Sequence, residues 1–304
     1  MSFDRAPYNP SSSSTTTVSN PTAASWGYRF TLQGASQSKI DLVPVGPDSV
    51  AGGVIIPPGL TTTFDTAVQN AMAGTGLSTG ATVSASFNTI FAVYWCSAGD
   101  FSGGLGFSTT MPTLQNGILS LGAGAIPILC RFLGWIRTGA AGGLVDSLQN
   151  RQVVNYLNRR RTPLYINPGY VDDNTVTTYT RNSATWTSMR ATAAESQCTF
   201  IGNGEDAALF TLNAMIDGAP TATVKFGIGL STTQPLSIGS FSANAGNRPS
   251  SSCTYTFAPA SGTLYTPQML TVNSVNNATY VADTARDGAA ADAPATLLAG
   301  TIFA

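Results

Sequence analysis

The sequence predicts an all-β protein: tandem antiparallel β-sandwich domains of jelly-roll type, with one short helix and an extended N-terminal arm. Three observations predict it. Short segments rich in β-branched and aromatic residues recur along the chain, with apolar and polar positions alternating as half-buried strands require. Gly, Pro, Asn and Ser punctuate these segments at roughly the eight-to-twelve residue spacing of a sandwich or barrel. Long helices do not alternate with the strands, which argues against a parallel α/β sheet, and no fixed period marks a solenoid.

Residues 1–24 come first. The hydroxyl-rich run at 11–17 sits between Pro10 and Pro21 and cannot bury enough apolar surface to fold by itself. It reads either as a floppy tail or as an anchoring arm that orders on a partner, with Tyr8 and Pro10 among its contacts. A β-sandwich assembly domain follows over residues 25–168. It opens with WGYRFTLQ (26–33) and KIDLVPV (39–45), both alternating strands. Pro57-Pro58-Gly59 then forces a turn. Phe64, Val68, Ala71 and Met72 recur at helical spacing, so a short helix is expected over 63–73 with Gly74 as its stop. Residues 82–97, 126–138, 153–157 and 163–167 are further strands. The outward-facing sandwich occupies residues 169–304. Its strands are TVTTYTR, QCTFIG, AALFTLNAMI, TATVKFGIGLS, CTYTFAP, MLTVNSV, ATYVAD and LLAGTIFA.

Composition narrows the function. Charged residues are 10% of the chain, the formal net charge is −1, and Lys39 and Lys225 are the only lysines. No basic face exists to hold nucleic acid, so no nucleic-acid partner is expected. With 304 residues, 43% of them hydrophobic, two domains can each bury a core without disulfide staples. The N-terminal stretch lacks a basic segment followed by an apolar run, and no window holds eighteen uninterrupted apolar residues, so no membrane insertion is expected. The four cysteines lack the close spacing of zinc sites. Cys96, Cys130, Cys198 and Cys253 fall in separate strand candidates. Buried free thiols are the simplest reading for a chain made in a reducing cytoplasm, and pairing in an oxidising medium stays open.

Catalytic signatures are thin. The chain has no histidine, which removes the Ser-His-Asp and Cys-His relays and every histidine metal site. The glycine-rich stretches at 99–106 and 139–143 match no phosphate-binding pattern. GYVDDN (169–174) places Tyr170 near paired Asp172 and Asp173, a combination also found where carboxylates hold two metal ions. Without a basic surface or a partner carboxylate motif it reads as a turn. Glu195 and Glu205 are the only glutamates. With the aspartates they leave a glycosidase pair open, but nothing specific supports one. Tyr170, Tyr179 and Trp186 suit sugar stacking or, more commonly, packing. Arg159, Arg160 and Arg161 form the basic run. A solvated strand edge and docking onto an acidic neighbour explain it equally well. No catalytic residue, cofactor or metal is expected.

The stretch CRFLGWIRTGAAGGLVDSLQN (130–150) carries most information. Simple alternation sets Phe132, Gly134 and Ile136 against Leu133, Trp135 and Arg137. Leu133 and Trp135 are out of place on a solvent face, so both faces are expected to be covered, one by a second sheet and one by a neighbouring subunit. This run, extended through RQVVNYL, resembles a segment recurring in virion proteins of tailed bacteriophages: an arginine and a GWIRT-like strand, a glycine turn, and a short strand ending near Gln-Asn. PPGLTTTFDTAVQNAMAGTGLS (57–78) and FNTIFAVYW (87–95) add to the likeness, and LLAGTIFA (297–304) is similar to the closing strand of phage fibre domains. The resemblance implies a non-enzymatic virion structural protein, a homotrimer assembled in the host cytoplasm and resident in the virion. It implies a tail fibre or tail-associated appendage, held through its N-terminal arm to tail, neck or capsid proteins, with host surface glycans as further partners. The alternatives are a head decoration or fibre protein on the capsid, and a short tailspike glycan hydrolase or carbohydrate-binding module. The expected assembly residues are Tyr8, Pro10, Leu133, Trp135, Arg137, Arg159, Arg160 and Arg161.

Overall fold

A computed structural model describes residues 28–32, 39–44, 63–65, 70–72, 79–83, 87–96, 104–115, 118–121, 130–141, 143–166, 178–190, 195–217, 220, 223–231, 233–242, 249–281 and 296–304. The regular elements among them are β-strands. The expectations placed on residues 1–24, Tyr8 and Pro10 included, and on 169–174 lie outside the described residues. The chain divides into two compact units, Met1–Leu144 with Asn155–Asn158, and Val145–Val154 with Arg159–Ala304.

In the first unit, β1 (Tyr28–Leu32), β2 (Lys39–Pro44) and β3 (Thr63–Asp65) form one antiparallel sheet. The buried side chains of Phe30, Ile40 and Leu42 account for the alternation in the first two. Asn155 ties β1 down from within the same unit. Its Oδ1 accepts from the Phe30 amide at 2.9 Å, and its Nδ2 donates to the Phe30 carbonyl at 2.9 Å. The second sheet runs β5-β4-β7-β6-β10-β9-β8. Its strands are β4 (Asn70–Met72), β5 (Thr79–Thr82), β6 (Ile90–Cys96), β7 (Gly104–Ser108), β8 (Pro112–Gln115), β9 (Ile118–Leu121) and β10 (Cys130–Arg137). The helix expected over 63–73 is therefore a misreading. Thr63–Asp65 pairs with β2, and Asn70–Met72 pairs with both β5 and β7. Helical spacing of four apolar residues is a weak signal, and strand partners distant in sequence outweigh it.

β10 is not a simple alternating strand. Phe132 lies opposite Tyr94 and Gly134 opposite Val93, so Leu133 is an extra residue in a β-bulge. The bulge inverts the parity of everything after it. Phe132 and Trp135 consequently share a face, and their rings meet at 62° with centroids 5.0 Å apart. Gly134 makes the bulge attainable: its φ of 153° is one that side chains with a Cβ rarely adopt. Gly134 and Ile136 fall on the opposite face.

The second unit contains β11 (Asn150–Arg151), β13 (Arg161–Ile166), β14 (Thr178–Ser188), β15 (Thr199–Ile201), β16 (Ala208–Met215), β17 (Val224–Gly229), β18 (Pro235–Phe241), β19 (Ser250–Phe257), β20 (Leu264–Tyr265), β21 (Gln268–Val281) and β22 (Leu297–Phe303). β12 (Val153–Asn155) spans the junction in sequence. Two four-stranded antiparallel sheets, β13-β22-β16-β19 and β14-β21-β17-β18, make a sandwich, and β11-β15-β20 forms a small third sheet. β11 pairs parallel with β15. MLTVNSV and ATYVAD, which read as two strands, lie in the single long β21.

The inner face of the first four-stranded sheet carries Leu164, Ile166, Leu298, Ile302, Ala208, Phe210, Leu212, Ala214 and Cys253, all buried. Val224, Phe226 and Ile228 of β17 are buried at alternate positions of the second. In each sheet a phenylalanine lies directly across from a glycine: Phe210 opposite Gly300, and Phe226 opposite Gly239. A Cβ on Gly300 would come within 2.3 Å of the Phe210 ring, and one on Gly239 within 2.3 Å of the Phe226 ring. Each ring therefore occupies space that a larger partner would take, and this fills the gap a glycine otherwise leaves in a sheet.

Candidate interaction surface

The arginine run enters β13, an edge strand of the first four-stranded sheet. Its acidic partner lies in the same chain. Arg159 donates through Nη1 to Glu205 Oε2 at 2.8 Å and through Nε to Asp206 Oδ2 at 3.1 Å. Asn203 shapes that acidic loop. Its Oδ1 accepts from the amides of Glu205 and Asp206 at 3.0 and 3.1 Å, and its Nδ2 donates to Asp206 Oδ2 at 3.0 Å and the Phe303 carbonyl at 3.1 Å. Gly204, at a φ of 89°, makes the turn between them. The main chain of Arg160 exchanges two hydrogen bonds with Ala304, at 2.9 and 3.0 Å, and Arg160 is exposed. The Arg161 guanidinium lies over the Phe303 ring, 5.7 Å from its centre.

The free side of β13 is blunted. Tyr165 donates its amide to the Leu148 carbonyl at 2.8 Å, and Arg151 Nε donates to the Pro163 carbonyl at 3.0 Å. Proline at 163 removes a donor, so the edge offers little to a foreign strand.

The face of this sheet turned from the core is broad and nearly uncharged. Register aligns Pro163 and Tyr165 of β13 with Thr301 and Ala299 of β22, then Leu209 and Thr211 of β16, then Thr256 and Thr254 of β19. Tyr165 is 40% exposed and Leu209 46%, while Pro163, Thr254 and Thr256 are exposed beside them. Hydroxyls on such a sheet, interspersed with aromatic and aliphatic side chains such as Tyr165 and Leu209, can hydrogen-bond and stack without strong charge. A second exposed apolar pair, Leu236 and Ile238, lies on edge strand β18 of the other sheet, Ile238 being 55% exposed.

Leu133 and Trp135 are elsewhere. They are 1% and 2% exposed within the chain by itself, so the cover expected from a neighbouring subunit comes from the same polypeptide. Phe132, beside Trp135, also packs on Tyr156 with ring centres 5.3 Å apart, and the Tyr156 amide donates to the Leu133 carbonyl at 2.7 Å. Arg137, half-buried, donates through Nη2 to Asn88 Oδ1 at 3.1 Å. Leu133, Trp135 and Arg137 belong to the first unit, and Arg159, Arg160 and Arg161 to the second. Trp186 is half-buried on β14.

Both glutamates are held by guanidinium groups, Glu205 by Arg159 and Glu195 by Arg190 at 2.7 Å. A cleft bordered by Phe200, Asn203, Asp206, Pro259 and Phe303 has a volume of only about 10 Å³, room for about one water and far below the roughly 300–1,000 Å³ of small-molecule pockets. Among the described residues no three His, Cys, Asp or Glu side chains group as metal ligands, and no helix is long and apolar enough to cross a membrane. Cys198 and Cys253 are buried free thiols. The outer face with Tyr165, Leu209, Thr254 and Thr256 was missed by sequence reasoning. Its signal is the alternation in ALFTLNAM and SSSCTYTF, whose buried positions leave these residues on the other side.

No protein-family model matches the chain, and no curated protein matches it. Among solved structures it is similar to an exo-β-1,3-galactanase from Phanerochaete chrysosporium, solved with galactose. The identity is 9%, the TM-score 0.20, and the match covers 90% of this chain and 68% of that one. At that level the likeness carries no argument about chemistry, which rests on this chain's own residues.

Proposed function

We propose that this chain is a non-enzymatic structural protein of a tailed-phage virion, a trimeric tail fibre or tail-associated appendage. The observation that carries the reading is the outer face of β13-β22-β16-β19: four strands wide, almost uncharged, and furnished for contact rather than for proton or group transfer. The arginine and glutamate side chains beside it are engaged with one another, which suits a rigid contact surface. A surface with few charges also keeps its properties as salt changes, because little of its stability is screened. In this reading residues 1–24 anchor the protein to the particle, and the outer face meets host surface glycans through Tyr165 and the threonine hydroxyls.

Gold-labelled antibody against the purified protein, viewed on intact particles by electron microscopy, tests the location. Label at the tail is the expected result. Label confined to the capsid replaces the appendage with a head decoration protein, and particles that lack the protein by mass spectrometry refute the virion reading. Sedimentation equilibrium tests the trimer, and a monomer at micromolar concentration overturns it.

A further inference from the structure

We infer that Cys96 and Cys130 form a redox-sensitive cross-strand pair that closes to a disulfide in an oxidising medium. The inference stands on strand register and is independent of the virion reading. β6 and β10 run antiparallel, and the ladder sets Cys130 opposite Cys96, Arg131 opposite Trp95 and Phe132 opposite Tyr94. Directly opposed residues of an antiparallel pair have Cα atoms about 4.5 or about 5.5 Å apart, depending on the type of pair. Both values fall within the roughly 4.4–6.8 Å over which a disulfide closes without backbone movement.

The neighbouring side chains corroborate this register. Tyr94 and Phe132 are both buried, and their rings meet edge to face with centroids 5.8 Å apart. Strand alternation puts position 96 on the face of Tyr94 and position 130 on the face of Phe132, so the two cysteine positions share one face of the sheet. The bulge lies beyond Phe132 and leaves the ladder between 130 and 132 in step. On the other side of β6, the residue level with Cys96 is Gly104.

The other two cysteines differ in kind. Cys198, just before β15, and Cys253, in β19, are free and buried, and burial pushes both thiols above the usual range. Their sulfurs are aimed at the carbonyls of Pro267 and Ser237, at 4.0 and 3.9 Å. They serve as internal controls.

A low-molecular-weight disulfide such as oxidised glutathione is the oxidant. One cysteine thiolate attacks it and displaces a glutathione thiolate, leaving a mixed disulfide. The second cysteine thiolate then attacks the protein sulfur of that bond, forming the Cys96–Cys130 bond and releasing the second glutathione. The two cysteines lose two electrons and two protons, and these end on two glutathione thiols. The pair would stay open in a reducing cytoplasm and lock β6 to β10 after exposure to an oxidising medium.

The test uses the full chain, equilibrated with oxidised glutathione, denatured, alkylated with iodoacetamide and digested with trypsin and an aspartate-N protease. Those enzymes cut before Asp100 and after Arg131, which separates the cysteines into fragments 65–99 and 100–131. The expected product is the two fragments joined, two hydrogens lighter than their sum and parted by reductant, with Cys198 and Cys253 alkylated. Oxidation should also raise the melting temperature of the first unit on the order of 10 °C, an increase absent from Cys96→Ser and from Cys130→Ser. Finding Cys96 and Cys130 both alkylated after oxidation overturns the inference. So does a bond from either to Cys198, to Cys253 or to another chain. The fragment map is read on the unmodified protein, so its outcome does not depend on the serine variants folding.

Discussion

Replacing Gly239 with alanine should destabilise the second unit, and Phe226 should be the reason. A Cβ at 239 would lie 2.3, 2.7 and 2.9 Å from three ring atoms of Phe226, whereas carbon atoms settle at about 3.5–4.0 Å. The ring has to withdraw by about 1 Å to restore contact distance. It is fully buried, with Phe241 packed against it at a ring-centre distance of 5.0 Å, so the displacement propagates into the core. Overpacking of this kind costs about 1–3 kcal/mol. Removing a glycine from a strand returns about 0.5–1 kcal/mol. The net loss is then on the order of 1–2 kcal/mol, or about 2–8 °C in melting temperature for a unit of this size. Urea unfolding followed by far-ultraviolet circular dichroism measures it, and hydrogen exchange over 224–241 locates it. Phe226→Leu alone should also destabilise, through the cavity it opens. Combined with Gly239→Ala it should cost less than the sum of the two, by on the order of 1 kcal/mol, because the smaller side chain vacates the contested space. A neutral Gly239→Ala, or additivity within about 0.3–0.5 kcal/mol, would refute the reasoning.

Trp135→Ala should lower the stability of the first unit by about 3–5 kcal/mol, the usual cost of truncating a large buried aromatic; calorimetry that shows an unshifted transition would contradict its burial. Arg159→Ala should cost no more than about 1 kcal/mol, because the ion pairs with Glu205 and Asp206 are partly exposed and screened. Its effect should shrink further when the urea midpoint is measured in high salt. Asp146 tests the acid range. Burial raises its pKa, outweighing the Arg151 guanidinium 3.3 Å away and the hydrogen bonds from Gln152 and Val153. The folded state therefore binds this proton more tightly than the unfolded state does. The stability it contributes is fully present below its unfolded pKa and is lost as pH rises through its folded pKa. Asp146→Asn should flatten that fall between acid and neutral pH, and identical pH profiles for the two proteins would show that the carboxyl is not held up by burial.

How far the sequence could be read depended on the range of the forces involved. The all-β class was legible because strand alternation is a local property. WGYRFTLQ, KIDLVPV, AALFTLNAMI and LLAGTIFA each declare a buried and an exposed side without reference to any partner, and the structure places strands in all four. Local signals also misled. Four apolar residues at helical spacing suggested a helix over 63–73, where pairing partners impose strands. The strict alternation read into CRFLGWIR failed at Leu133, although Gly134 is the sign that could have warned of a bulge.

The sequence by itself determined which segments could be strands, that the surface would be nearly uncharged, and that no histidine chemistry could occur. Only the tertiary structure decided which strands are neighbours. β13, grouped by sequence with the first domain, pairs along its length with the closing strand β22. Arg159 meets its acidic partners in a loop over forty residues away. Cys96 and Cys130 come to one level of one ladder. Strand pairing uses backbone hydrogen bonds that every residue carries alike, so the choice of partner is settled by packing and register across the whole sheet. No short stretch of residues encodes it.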